Sequence, residues 1–110
     1  MHAGRDGHMP TAFEMSVYAL VQKVPKGKVT TYKEIAQALG KSTNACRAIG
    51  HALHRNPFAP HVPCHRVVAS NGALSGYAFG CDTKLRILES EGIEVKDGRI
   101  VHFGQVFFRF

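Results

Sequence analysis

Thr31-Tyr32-Lys33-Glu34-Ile35-Ala36-Gln37-Ala38-Leu39-Gly40-Lys41-Ser42-Thr43-Asn44-Ala45-Cys46-Arg47-Ala48-Ile49-Gly50-His51-Ala52-Leu53-His54-Arg55 is the stretch that decides the fold. Thr31 and Glu34 have capping-box spacing, in which the threonine hydroxyl accepts from an orphan amide and the glutamate reaches back. They open a short helix predicted to run through Leu39 and to end at Gly40. Ser42 or Thr43 caps a second helix, which carries Ala45, Ala48, Ile49, Ala52 and Leu53 on one face and continues to about Arg55. Two short helices joined by a tight Gly-containing turn form a helix-turn-helix pattern. The outer face of the second helix carries Arg47, His51, His54 and Arg55, with Lys41 just before it, and its small residues keep it slim. A slim basic helix can sink into a DNA groove. The same alanines and glycine also suit a helix that only packs tightly against its neighbours.

Upstream, Phe13, Val17, Leu20, Val21 and Val24 recur at helical spacing and predict a helix from about Thr11 to Val24, stopped by Pro25-Lys26-Gly27-Lys28. Val29-Thr30 reads as short and extended. Downstream, Asn56 to Pro63 holds three prolines in its last seven residues, a stiff connector that positions the segment after it. Cys64 to Ala69 reads as a short buried strand closed by Ser70-Asn71-Gly72, and Ala73 to Gly80 as a loop. Asp82 is expected to cap a helix carrying Leu85 and Leu88 and ending at Gly92. Ile93 to Val101, with Lys96-Asp97-Gly98 at its centre, has a hairpin signature. The aromatic tail, His102 to Phe110, is expected to cover the core. The fold class is mainly α with short β, a winged helix-turn-helix-like domain.

The 110 residues suffice for one domain, and 45% hydrophobic content makes it globular. Residues 11–110 are read as that domain. Residues 1–10 are polar and Gly-rich and are set aside as a disordered start or a remnant of cloning. No stretch approaches the ~20 apolar residues of a membrane span, and the start lacks a secretory signal's apolar run. The expectation is an intracellular protein of nucleus, cytoplasm or nucleoid, with no membrane partner. Fourteen Lys and Arg against eight Asp and Glu give a net charge of +6, which suits a polyanion.

Three cysteines, Cys46, Cys64 and Cys81, argue against a disulfide framework by their odd number, and their spacing lacks the paired pattern of structural zinc. Cys64 stands between Pro63 and His65 on a stretch the prolines stiffen. A thiolate is a strong nucleophile, and His65, Arg66 or a helix N-terminus would lower the thiol pKa. In an extended strand, however, Cys64 and His65 point to opposite faces, so their cooperation needs a bend, a water or a turn. A buried structural cysteine beside a satisfied histidine is the plainer alternative.

Pro63-Cys64-His65-Arg66-Val67 resembles the PCHRV signature of the O6-alkylguanine-DNA alkyltransferase family. Thr31-Tyr32, Arg47, Asn56-Pro57, Gly76-Tyr77, Lys84 and Glu91-Gly92 fall at family-like separations from it, so the resemblance covers about residues 11–92. It implies that a damaged guanine is flipped from duplex DNA into a pocket beside Cys64, which takes the alkyl group once and irreversibly. Arg47 matches the arginine finger that holds the place of the extruded base. Tyr32 matches the tyrosine that helps rotate the flipped nucleotide and protonates the leaving guanine. Glu91, His65 and Cys64 match a relay in which Glu91 orients His65 and His65, through a water, takes the thiol proton. Asn56 matches the hinge between recognition helix and active-site segment. Val67, Gly76, Tyr77, Ala78 and Phe79 would wall the alkylguanine pocket. Lys41, His51 and Arg55 join Arg47 and Tyr32 as DNA-binding residues. No cofactor or metal is implied, and a monomer is expected.

Three departures stand out. The chain has no room for the further N-terminal domain most alkyltransferases carry. Ala78 and Phe79 stand where the family commonly has Ser and Gly. The single-domain length, the hairpin and the aromatic ending resemble the alkyltransferase-like proteins, which bind O6-alkylguanine DNA without repairing it and hand it to nucleotide excision repair proteins. Those proteins typically lack the active-site cysteine, and Cys64 is present. Two further readings therefore stand beside repair by transfer: a non-catalytic damage sensor, and a plain helix-turn-helix binder with a structural Cys64.

Overall fold

The computed structural model describes residues 9–59, 61–74 and 81–110, the side chain of Cys81 excepted. Helix α1 spans Ala12–Val21. Its start is a complete capping box: the Thr11 hydroxyl accepts from the Glu14 amide at 3.1 Å, and the Glu14 carboxylate accepts from the Thr11 amide at 2.9 Å. The helix ends three residues earlier than the apolar stripe suggests. Lys23 and Val24 donate to Leu20 and Val21, a tighter last turn that still buries Val24.

Strand β1 (Thr30–Thr31) runs directly into helix α2 (Tyr32–Ala38). The Thr31 hydroxyl accepts from the Glu34 amide at 3.0 Å, as expected, but only half of the capping box forms there. The Glu34 carboxylate turns to the Phe110 amide at 3.3 Å, while the Thr31 backbone is held in a strand pair. At the other end Gly40 takes φ +71°, and the amides of Gly40 and Lys41 donate back to Gln37 and Ala36, closing a Schellman motif. Ser42 caps a 3-10 turn, Thr43–Ala45, that leads into helix α3 (Cys46–His54). Ile49, Ala52 and Leu53 are buried on its inner face, and Arg47, His51, His54 and Arg55 are exposed.

The expected strand at Cys64–Ala69 is corrected in its first half. Residues Cys64–Arg66 form a 3-10 turn, with the Arg66 amide donating to the Pro63 carbonyl at 2.9 Å. Only Val67–Val68 is extended; this is β2, and it pairs in parallel with β1, Thr30 opposite Val67 and Thr31 opposite Val68. Helix α4 spans Cys81–Ser90, so Asp82 lies inside its first turn rather than at its cap, where its charge still favours the helix N-terminus. Strands β3 (Val95–Lys96) and β4 (Arg99–Ile100) form the expected hairpin. Asp97 and Gly98 both have positive φ, the requirement of a tight type I′ turn.

Alternation along β2 divides the interior in two. Val67 joins Val17, Tyr18, Val21, Ile35, Ile49, Ala52, Leu53, Val62 and Cys64 in a core around the helix-turn-helix. Val68 joins Val29, Leu88, Ile93 and Ile100 in a second core, flanked by Leu74, Val95, Phe103 and Val106. The tail covers that second core through a short helix α5 (Phe103–Val106), fastened to the sheet by bonds from Val29 to Val106 (2.8 Å) and from Phe108 to Val29 (2.7 Å). The fold is mostly helical with short strands around a helix-turn-helix, the expected class. No helix among the described residues is long and apolar enough to cross a membrane.

Candidate active site and nucleic-acid interface

The site is built where the Pro-rich connector enters the 3-10 turn. Asn56, buried, fastens the connector at both ends: its amide donates to the Val62 carbonyl at 2.8 Å, and its carbonyl accepts from the Phe58 amide at 2.9 Å. Cys64, 5% exposed, follows two residues after Val62, and its amide donates to the Val62 carbonyl. Successive side chains of a 3-10 turn are about 120° apart, so the turn removes the opposed orientation an extended strand would impose on Cys64 and His65.

His65 is buried, and its Nε2 lies 3.0 Å from Glu91 Oε2. Glu91 follows the end of α4 and is gripped by Arg66, whose Nε and Nη2 donate to its two oxygens at 3.0 and 2.7 Å. The remaining Arg66 nitrogen donates to the Val24 carbonyl at 2.9 Å. Burial opposes ionisation of Glu91, but the Arg66 fork and His65 outweigh it and hold the carboxyl below its ordinary range. Burial pushes His65 below its ordinary value. The Glu91 bond and charge oppose that push, and the Arg66 and Lys84 cations reinforce it. A neutral imidazole facing an ionised carboxylate must carry its proton on Nε2, so Nδ1 is the basic nitrogen.

Two residues that periodicity did not single out complete the surroundings. Lys84 has no exposed surface and donates to the Val67 carbonyl at 2.7 Å, from a position one turn before Leu88 on the apolar side of α4. That i, i+4 spacing was the available signal. Tyr18, one position off the α1 stripe, donates from its hydroxyl to the Ala52 carbonyl at 2.7 Å and meets Phe58 edge-to-face. Burial first, then the Glu14 charge, push its phenol up to about 12 against the opposing Arg55 cation. Arg66 stood in the sequence only as a neighbour able to influence Cys64; its grip on Glu91 joins residues 25 apart and is invisible to local pattern.

On the helix-turn-helix, Tyr32 is half-buried at the start of α2, and its ring lies 3.9 Å from where a Cβ on Gly50 would stand. Gly50 is one turn from Arg47 along α3, so Tyr32 and Arg47 share an edge of that helix. Arg47, His51 and Arg55 follow at i, i+4 and i+8, all exposed. Lys41 sits over the Phe13 ring, 5.8 Å from its centroid, and Arg55 Nε is 3.9 Å from Glu14, so these two cations lean toward α1. Val67 is buried beside Cys64 in the first core. Gly76, Tyr77, Ala78 and Phe79 lie outside the described residues.

A helix-turn-helix whose second helix is basic, with a buried thiol and an oriented imidazole packed behind it, is the architecture of a DNA-binding domain. The family model for the 6-O-methylguanine DNA methyltransferase DNA-binding domain matches residues 12–93, and the chain belongs to that family. A methylated-DNA--protein-cysteine methyltransferase of Saccharolobus islandicus is 47% identical over 85 residues, covering 77% of this chain and 54% of that protein. The Mycobacterium tuberculosis OGT, solved in complex with DNA, superposes with a TM-score of 0.70 at 41% identity over 74% of this chain and 50% of its own. Schizosaccharomyces pombe Atl1, solved with damaged DNA containing O6-carboxymethylguanine, superposes with a TM-score of 0.77 at 31% identity, over 89% of this chain and 95% of its own. The chain thus spans about half the length of the methyltransferase relative.

Proposed function

We propose that this protein repairs DNA by taking the alkyl group of a flipped-out O6-alkylguanine onto Cys64, in a single turnover. The observation that carries the reading is the ordered chain Arg66–Glu91–His65 ending beside Cys64, with contacts of 2.7 to 3.0 Å. Glu91 orients the imidazole, and His65 is the proposed acceptor of the thiol proton, through a water. The sulfur attacks the alkyl carbon, a C–S bond forms, and the C–O6 bond breaks. The guanine leaves with a proton, for which Tyr32 is the proposed donor. Arg47 takes the place of the extruded base, and Lys41, His51 and Arg55 contribute phosphate contacts. Val67 and residues 76–79 are the proposed walls of the alkylguanine pocket. The partner is double-stranded DNA.

Incubation with a duplex containing O6-methylguanine tests this. A gain of one methylene in intact mass, on the Cys64 peptide and absent in Cys64→Ser, is expected. Tight lesion binding with unchanged mass at long times would sink the transfer reading. It would favour a second one, a damage sensor acting with excision-repair proteins. The near full-length match to S. pombe Atl1 supports that second reading; the presence of Cys64 favours the first.

A further inference from the structure

Along the first turn of α2 lies a groove of about 430 Å³ that the matched family segment alone does not form. One wall is the first turn of α2, with Lys33 and Glu34, together with Ser70 just past β2. The opposite wall is Phe103, Phe107 and Arg109, which follow the matched residues 12–93. Phe103 and Phe107 stack with centroids 5.2 Å apart, and the Arg109 guanidinium lies 5.0 Å over the Phe107 ring. The acid in the groove, Glu34, has one oxygen on the Phe110 amide. Lys33 and Arg109 are exposed cations on facing walls, and Ser70 offers a hydroxyl between the elements.

We propose that this groove is the track for the sugar-phosphate backbone of the bound DNA on one side of the lesion, with Lys33 and Arg109 each taking a phosphate. The proposal rests on the DNA-repair reading above. Three features favour a nucleic-acid strand over a protein segment. The groove and Tyr32 flank the same first turn of α2, the Tyr32 ring on the α3 side and Lys33 on the groove side, so a strand crossing that turn reaches both. Two cations, Lys33 and Arg109, outnumber the one acid, Glu34, whose carboxylate is partly engaged by the Phe110 amide, in a chain of net charge +6. The apolar floor of stacked rings suits sugar faces while the cations face the phosphates. Arg109 is held in place by its cation-π contact, which reduces the freedom it loses on binding.

The test compares wild type, Lys33→Gln, Arg109→Gln and the double variant on lesion-containing and undamaged duplexes across a salt series. The double variant is expected to weaken both duplexes alike and to lower the slope of log affinity against log salt by about 2. Lys33→Arg should keep the wild-type slope. Shortening the flank on one side of the lesion should weaken wild type while leaving the double variant little changed. Unaltered affinity and slope in a folded double variant, with Arg47→Ala still weakening lesion binding, overturns the groove proposal alone and leaves the groove to a protein partner. A wild type that binds neither duplex overturns the underlying reading as well.

Discussion

Arg66 and Glu91 meet through two parallel bonds of 3.0 and 2.7 Å, and the Glu91 oxygen nearest Arg66 is the one His65 uses. One carboxylate thus fastens a guanidinium and orients an imidazole next to the thiol. The Arg66 side chain is also bonded to the Val24 carbonyl after α1, so the network ties α4, the 3-10 turn and the end of α1 together.

Arg66→Lys is therefore not a conservative change, because an ammonium cannot fill a two-pronged site. It should cost about 2 kcal/mol of stability, and Arg66→Ala about 3 kcal/mol, since Glu91 would keep a buried charge with one partner fewer. Urea denaturation at neutral pH measures both. Equal stability of Arg66→Lys and wild type would contradict the account of the fork.

Glu91→Gln should leave the fold assembled but lower single-turnover alkyl transfer by roughly 100-fold or more, because the amide no longer fixes the tautomer of His65. The pH dependence of Cys64 alkylation by iodoacetamide should change in the same variant. A purely structural Glu91 would leave that profile untouched.

Stability should fall on the acid side of neutrality. His65 is held below its ordinary value of 6.5, so the unfolded chain binds the proton first, and stability is lost as pH drops from 6.5 toward the folded value. Glu91 is held below 4.5, so a second loss begins under that pH. Both slopes have the same sign. Denaturant midpoints at about pH 7.5 and about pH 5.5, either side of the unperturbed histidine value, should differ in wild type and differ less in His65→Gln. Parallel behaviour of the two proteins would contradict the assignment.

Arg47→Ala should weaken binding to a lesion duplex with the fold unchanged. Binding of wild type should also fall steeply with salt through release of counterions from phosphates. Fluorescence anisotropy over a salt series reads both effects. Undiminished lesion affinity in the variant would remove Arg47 from its proposed place in the DNA stack.

Thr30→Val should stabilise the protein by about 1 kcal/mol. The Thr30 hydroxyl is buried in β1, and no hydrogen-bond partner for it is present among the described residues. A methyl of similar shape removes an unpaired polar group from the core. Thermal unfolding decides it, and a lower midpoint would mean the hydroxyl is satisfied in solution.

Local signals carried the helix-turn-helix. Gly40, Ser42 and the burial of Ile49, Ala52 and Leu53 follow from capping chemistry and periodicity. The hairpin likewise rests on Asp97 and Gly98 alone. The features that escaped were decided at a distance. The PCHRV segment looks extended by composition, but Pro63 starts a turn whose value lies in bringing His65 to Glu91, 26 residues away. Glu34 has capping-box spacing, yet its carboxylate goes to Phe110, 76 residues on, while the complete box formed at Thr11 and Glu14. Lys84 resembles a surface lysine until the packing of α4 closes over it.

The second core gives family boundaries a physical meaning. The family model stops at Ile93, yet Ile93 packs with Ile100, and Phe103 and Val106 lie against the same cluster. A family profile and a cooperative unit therefore draw different borders. An excised domain cut at the profile's limit would leave Val29, Val68 and Leu88 open to water and prone to self-association, so any minimal version grafted into another protein should carry residues 94–110 along.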